Sequence, residues 1–179
     1  LFLMRGLAGL LDAPGKAFHG IVYRVLPARY RSSMVSVRGA YLHGGRYNVR
    51  NFFGCLYTCL ELETARAEVR RYFTAPPREG FVEASIVLRL SRVVDLTDRA
   101  RLRKHGLVQE DLISSDYVVP QSCALRAWEK GVEGLLVPSA ARPGANNLAV
   151  LMDNQQPGWR IELRRITLAA WTAAPTLRR

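Results

Sequence analysis

Apolar residues recur along this chain with two different periods. Val82, Ala84, Ile86, Leu88 and Leu90 alternate with Glu83, Ser85 and Arg89, the two-residue period of a strand with one covered face. Arg92 to Leu96 either continues that strand or pairs beside it. Shorter apolar runs at Ile21 to Leu26, Cys55 to Thr58, Gly134 to Val137, Leu148 to Met152 and Trp159 to Leu168 read as further strands, punctuated by Pro, Gly and Asn. The helical period is clearest at Leu62, Ala65, Val69 and Tyr72, which form one stripe. Ahead of it, Thr58-Cys59-Leu60-Glu61 has the form of a capping box and predicts a helix starting there, while Pro76-Pro77 forbids continuation much past Phe73. At about 100° per residue, Glu68 falls just off the edge of the stripe and is expected to be half-buried. Other helices are predicted over 3–11, 97–105 and 108–113, with one more capped by Ser122 and running to Lys130 before Gly131. From Arg29 to Asn51 neither period holds, which predicts a long loop of the kind that carries function.

Strands outnumber helices and the two do not alternate as a doubly wound sheet requires, so the expected class is α+β: a single domain with small mixed or antiparallel sheets and flanking helices. The 179 residues suit one domain with a real core. The division expected is a helical lead-in at 1–18, a catalytic domain at 19–168 and a tail at 169–179.

Composition changes this picture little, with 49% hydrophobic and 23% charged residues. Charge adds more. There are 26 basic and 15 acidic residues, for a net +11, which makes phosphate-bearing partners plausible on electrostatic grounds. Lys16, Lys104 and Lys130 are the lysines, so arginine supplies the other 23 of those 26 cations, and its planar fork matches paired phosphate or carboxylate oxygens. The arginines are scattered, with no run of five like charges, which argues against a nucleic-acid-binding arm. A basic nucleic-acid-binding module is nevertheless a competing reading, distinguished by steep salt dependence of binding. Cys55, Cys59 and Cys123 are odd in number and suit a reducing compartment, so the expected location is the cytoplasm. No apolar run reaches the roughly 20 residues of a membrane span. The three histidines and the cysteines show no paired zinc spacing, so no metal is expected.

No phosphate-cradling loop, dinucleotide glycine fingerprint, His-Glu-x-x-His or Gly-x-Ser-x-Gly elbow occurs. What stands out is a series of pieces: Tyr23-Arg24, Gly44-Gly45-Arg46-Tyr47-Asn48, Tyr57-Thr58-Cys59, Ala67-Glu68-Val69, Pro138-Ser139-Ala140-Ala141 and Asn147-Leu148. Singly each has a structural explanation: Arg46 anchors its loop, Tyr57 is core, Glu68 pairs with Arg71 three residues on, and Ser139 caps a turn. Together and in this order they resemble the RES domain family, over roughly residues 19 to 168. Tyr47 stands where that family usually has tryptophan, Cys59 replaces a serine, and Val49 to Phe53 is a longer spacer than usual.

The resemblance implies an NAD-degrading toxin, with NAD as substrate and no further cofactor, on a core related to ADP-ribosyltransferases with split small sheets around a cleft. It implies Glu68, Arg46 and Tyr57 as catalytic residues, and Arg24, Arg46, Tyr47, Tyr57, Ser139 and Asn147 as the NAD-binding set. Water or inorganic phosphate would accept the ADP-ribosyl group, and a protein side chain would accept it in the alternative reading, a mono-ADP-ribosyltransferase. The expected partners are a helix-turn-helix antitoxin of the Xre type or another immunity protein, a second copy in a homodimer, and nucleic acid only through the antitoxin.

Overall fold

The computed structural model describes residues 9–12, 14–73 and 75–169. Six strands order them: β1 (Lys16–Pro27), β2 (Cys55–Cys59), β3 (Phe81–Asp95), β4 (Gly134–Pro138), β5 (Asn146–Leu151) and β6 (Arg160–Ala169). The alternating segment and its continuation are one 15-residue strand, β3. The helices are α1 (Arg38–His43), α2 (Leu62–Arg70), α3 (Arg99–Lys104), α4 (Gln109–Ile113) and α5 (Val118–Glu129). Residues 9–12 are also helical and bury Leu10 and Leu11, while most of the helix expected over 3–11 lies outside the described residues.

The strands run in the order β1-β2-β5-β4-β3-β6, and β1 also pairs with β3. That extra pairing closes five strands into a barrel and leaves β6 outside it on β3. The long antiparallel ladder from His19↔Arg89 to Pro27↔Phe81 forms one side of the ring. On the other side β2 and β4 flank β5, with Leu56↔Val150 and Leu136↔Leu148 in register. The junctions are short: Tyr23↔Cys59 joins β1 to β2, and Val93 to Asp95 pair in parallel with Gly134 to Leu136. The protein is therefore a mixed α/β single domain. The expected split small sheets are instead one continuous sheet, because β3 is long enough to serve β1 on one edge and both β6 and β4 on the other.

Period-two alternation sorts the side chains into two cores. Val22, Leu56, Ile86, Leu88, Leu148 and Val150 come from four strands yet pack on one another, which only the inside of the ring allows. The opposite faces of β2, β4 and β5 carry Cys55, Leu135, Ala149 and Leu151 against Leu102, Leu112, Cys123 and Ala127 of the helices.

Three local expectations are corrected. The capping box does not form: Thr58 belongs to β2, its hydroxyl donates to the Leu148 carbonyl at 2.8 Å, and α2 starts at Leu62 after an uncapped Glu61. Strand pairing claims the threonine before the helix can. The last long helix begins at Val118 instead of at a Ser122 cap, with Asp116 Oδ1 accepting from the Val118 amide at 2.9 Å. Ser122 sits inside it, its hydroxyl bonded back to Val118 O. The loop expected from Arg29 to Asn51 contains a 3-10 helix (Ala28–Ser33) and α1, each only six residues and too short to print a period.

Candidate active site

The Gly44-Gly45-Arg46-Tyr47-Asn48 segment is a tight turn, closed by a bridge between Gly45 and Asn48. Gly44 has φ +73°, and a Cβ on Gly45 would stand 2.5 Å from the Tyr57 hydroxyl, so both glycines are required by the backbone. Asn48 is fully buried; its amide donates to Ala40 O at 2.8 Å and its Oδ1 accepts from the Tyr57 hydroxyl at 2.8 Å. The same hydroxyl accepts from the Tyr47 amide at 2.8 Å. Gln121, which the sequence reading did not single out, reaches from α5 to donate to Gly45 O at 2.9 Å and Asn48 O at 3.3 Å. Tyr57 thus fixes the turn from one side and Gln121 from the other.

Beside this turn, on the outer face of β2 and β5, lies a cavity of about 580 Å³, of the size that takes a small molecule. Its wall includes Arg24, Arg46, Tyr57, Glu68, Tyr117 and Asn147. The sheet supplies its floor, α2 one side, and the segment joining α4 to α5 the other.

Glu68 enters from the C-terminal half of α2. Its Oε1 accepts from the Ser139 hydroxyl and from the Asn147 amide, each at 2.7 Å. Among the described residues its Oε2 is paired only with Arg71, at 3.9 Å, so the Arg71 pairing anticipated from the sequence is a long one. Ser139 Oγ also accepts from the amides of Ala141 at 3.2 Å and Arg142 at 3.1 Å, which leaves its one proton for the carboxylate. Asn147 spends its amide on Glu68 while its own Oδ1 is buried without a partner. Such an orphaned acceptor costs about 1–3 kcal/mol.

The remaining sequence candidates divide. Arg46 lines the cavity, with Nη1 donating to Leu112 O at 3.2 Å and to Ser114 O. Arg24 also lines it but is held below, donating to Met34 O at 2.9 Å and Ser36 O at 3.0 Å; burial lowers its guanidinium to about 10, which nearby Cys55 partly opposes. Tyr47 lines the cavity too, although it is only 3% exposed and packs into the helical core, its hydroxyl donating to Leu112 O at 3.3 Å. Burial pushes both the Tyr47 and Tyr57 phenols upward. The sequence reading brought Arg24, Arg46, Tyr47, Tyr57, Glu68 and Asn147 to one cavity, and all six line it. It gave Ser139 and Asn147 to a ligand; the Ser139 hydroxyl and the Asn147 amide both donate to Glu68.

With this geometry in place, comparisons with known proteins decide the family. The RES domain model matches residues 21–172. This chain belongs to the RES domain family. It is 32% identical to the probable NAD(+) phosphorylase Rv3189 of Mycobacterium tuberculosis over 149 residues, 80% of this chain and 69% of that protein. It is 30% identical to the NAD(+) phosphorylase MbcT of Mycobacterium bovis, over 79% of this chain and 80% of that protein. The crystal structure of the M. tuberculosis MbcT-MbcA toxin-antitoxin complex shares the fold, with a TM-score of 0.78, 24% identity and 93% of each chain covered. Among the described residues no helix is long and apolar enough to cross a membrane, and no group of His, Cys, Asp and Glu side chains is arranged to hold a metal.

Proposed function

We propose that this RES domain protein is an NAD-consuming toxin that breaks the nicotinamide–ribose bond and passes the ADP-ribosyl group to inorganic phosphate. The observation that carries the reading is the Glu68 carboxylate, held through one oxygen by Ser139 and Asn147 and sharing its cavity with the Arg46 guanidinium. The names of the relatives, NAD(+) phosphorylases, support the same chemistry and favour phosphate over water as acceptor.

The bond in question joins a sugar carbon to a ring nitrogen that bears positive charge. When it breaks, the electron pair leaves with nicotinamide, which becomes neutral and needs no proton. One carboxylate is then enough, where most glycosidases use two. Glu68 Oε2, free of close partners, faces the positive charge that grows on the ribose ring and holds a ribose hydroxyl, an attraction stronger in the transition state than in the ground state. A phosphate oxygen then forms the new bond to the same carbon. Arg46 takes the pyrophosphate of the substrate, and the Tyr57 ring forms part of the wall against which nicotinamide or ribose packs. Ser139 and Asn147 act through Glu68. The cysteine thiols are buried and neutral and play no part.

An antitoxin partner belongs to the proposal, supported by the toxin-antitoxin complex that shares this fold. The Xre class of that partner, a homodimer and kinship with the ADP-ribosyltransferase core rest on the family resemblance, and the cytoplasmic location rests on three free, buried cysteines that suit a reducing compartment. Incubating purified protein with NAD, with and without phosphate, and separating products by mass is the test. Phosphate-dependent formation of phosphorylated ADP-ribose is the expected result, and negligible loss of NAD in both arms would sink the reading.

A further inference from the structure

The Arg46 side chain crosses the cavity wall already anchored. One nitrogen, Nη1, is committed to the carbonyls of Leu112 and Ser114. The guanidinium carbon lies over the Tyr117 ring, 4.7 Å from its centroid. Among the described residues Nε and Nη2 have no hydrogen-bond partner, and neither is sealed from solvent. Tyr117 is the residue immediately before α5, fixed there by the Gln121 amide bonding its carbonyl at 2.9 Å. Gln121 in turn holds the Gly45 and Asn48 carbonyls. One turn of one helix start thus clamps both the backbone on which Arg46 sits and the plane of its guanidinium.

We propose that Tyr117 is a positioning residue whose ring face sets the plane of Arg46, so that the Nε–Nη2 edge is presented as a preformed fork to a diphosphate. This rests on the function proposed above and adds to it the element that gives Arg46 a direction. A free arginine must lose side-chain entropy to grip two oxygens; one stacked on an aromatic face and tied at Nη1 has already lost it. The face of the ring carries the attraction and its hydroxyl does not, so phenylalanine serves and an aliphatic side chain does not.

The test is calorimetric binding of ADP, as a diphosphate-bearing probe, and of adenosine as control, to the parent, Tyr117→Leu, Tyr117→Met and Tyr117→Phe. The expected result is ADP affinity weakened about tenfold in either aliphatic variant, the scale of a partly desolvated cation–π contact. Adenosine binding should stay unchanged, and Tyr117→Phe should recover most of the lost affinity. In turnover, the aliphatic variants should raise KM for NAD by the same factor with kcat within about twofold, the signature of lost uniform binding. Parent-like ADP affinity in an aliphatic variant that melts at the parent's temperature, a phenylalanine variant as weak as the leucine one, or no ADP binding by the parent would each overturn the assignment. A parent that binds ADP through this fork but consumes no NAD would leave the role of Tyr117 standing and remove the proposed function.

Discussion

The Ser139 hydroxyl and the Glu68 carboxylate meet at 2.7 Å although 71 residues separate them in the chain. Their meeting makes β4's end and α2 two halves of one device. Replacing Glu68 by Gln keeps an oxygen for Ser139 and Asn147 to donate to, while removing the charge proposed above to face the ribose. The fold should survive, and NAD consumption should fall by about 10²-fold or more. Parallel melting and turnover measurements check this; a variant that turns over NAD at the parent's rate removes Glu68 from the reaction.

Ser139→Ala and Asn147→Ala should act mainly on kcat, each lowering it about tenfold with KM for NAD little changed, because both residues touch the carboxylate and are proposed to act through it. Their effects should be less than additive in the double variant, since they hold the same oxygen. A full double-mutant cycle on kcat reads the coupling, and strict additivity would mean that they act separately.

Tyr57→Phe takes away the acceptor for the Tyr47 amide and the donor to Asn48 Oδ1. The turn that carries Arg46 loosens and partly buried polar groups lose their partners, at a cost of about 1–3 kcal/mol. Urea denaturation should show the loss of stability, and KM for NAD should rise with it.

Burial holds the thiols of Cys55, Cys59 and Cys123 up at about 12, from an ordinary value near 9. At pH 8 none should react with iodoacetamide until the protein is unfolded, when mass spectrometry should count three additions. In the folded state these groups keep their protons where the unfolded chain begins to lose them. Stability they contribute is therefore complete below about pH 9 and drains away as pH rises from there toward 12. A denaturation midpoint that falls between pH 8 and pH 10.5 is expected.

Glu133 is fully buried, and it accepts from the backbone amides of Arg92 at 2.7 Å, Gln156 at 3.3 Å and Ser91. It ties β3, β4 and the approach to β6 together at the end of β4 opposite Pro138, and it does not line the cavity. Glu133→Gln turns one acceptor into a donor pointed at an amide, so it should cost about 3 kcal/mol or more in unfolding free energy while leaving KM for NAD at the parent's value.

Much of this was legible in the sequence because strand periodicity depends on near neighbours. The alternation from Val82 to Leu90 fixed the strand and its faces, and the stripe from Leu62 to Val69 fixed a helix with Glu68 on its edge. What escaped the sequence is contact between distant residues. Nothing local says that Thr58 would be claimed by Leu148, that Ser139 would face Glu68, or that Gln121 and Tyr117 would hold the glycine turn. Gln121 carried one faint signal, a polar side chain on the inner side of an otherwise apolar helix start. The closure of the barrel was invisible for the same reason, since it turns on the short junction at Tyr23 and Cys59.

A hoop of hydrogen-bonded backbone cannot yawn open at one stave without breaking its neighbours. The floor of the cavity is therefore stiff, and any widening needed to admit the proposed dinucleotide falls to the short helical pieces around the rim: the stretch from α1 through the glycine turn, and the link that carries Tyr117.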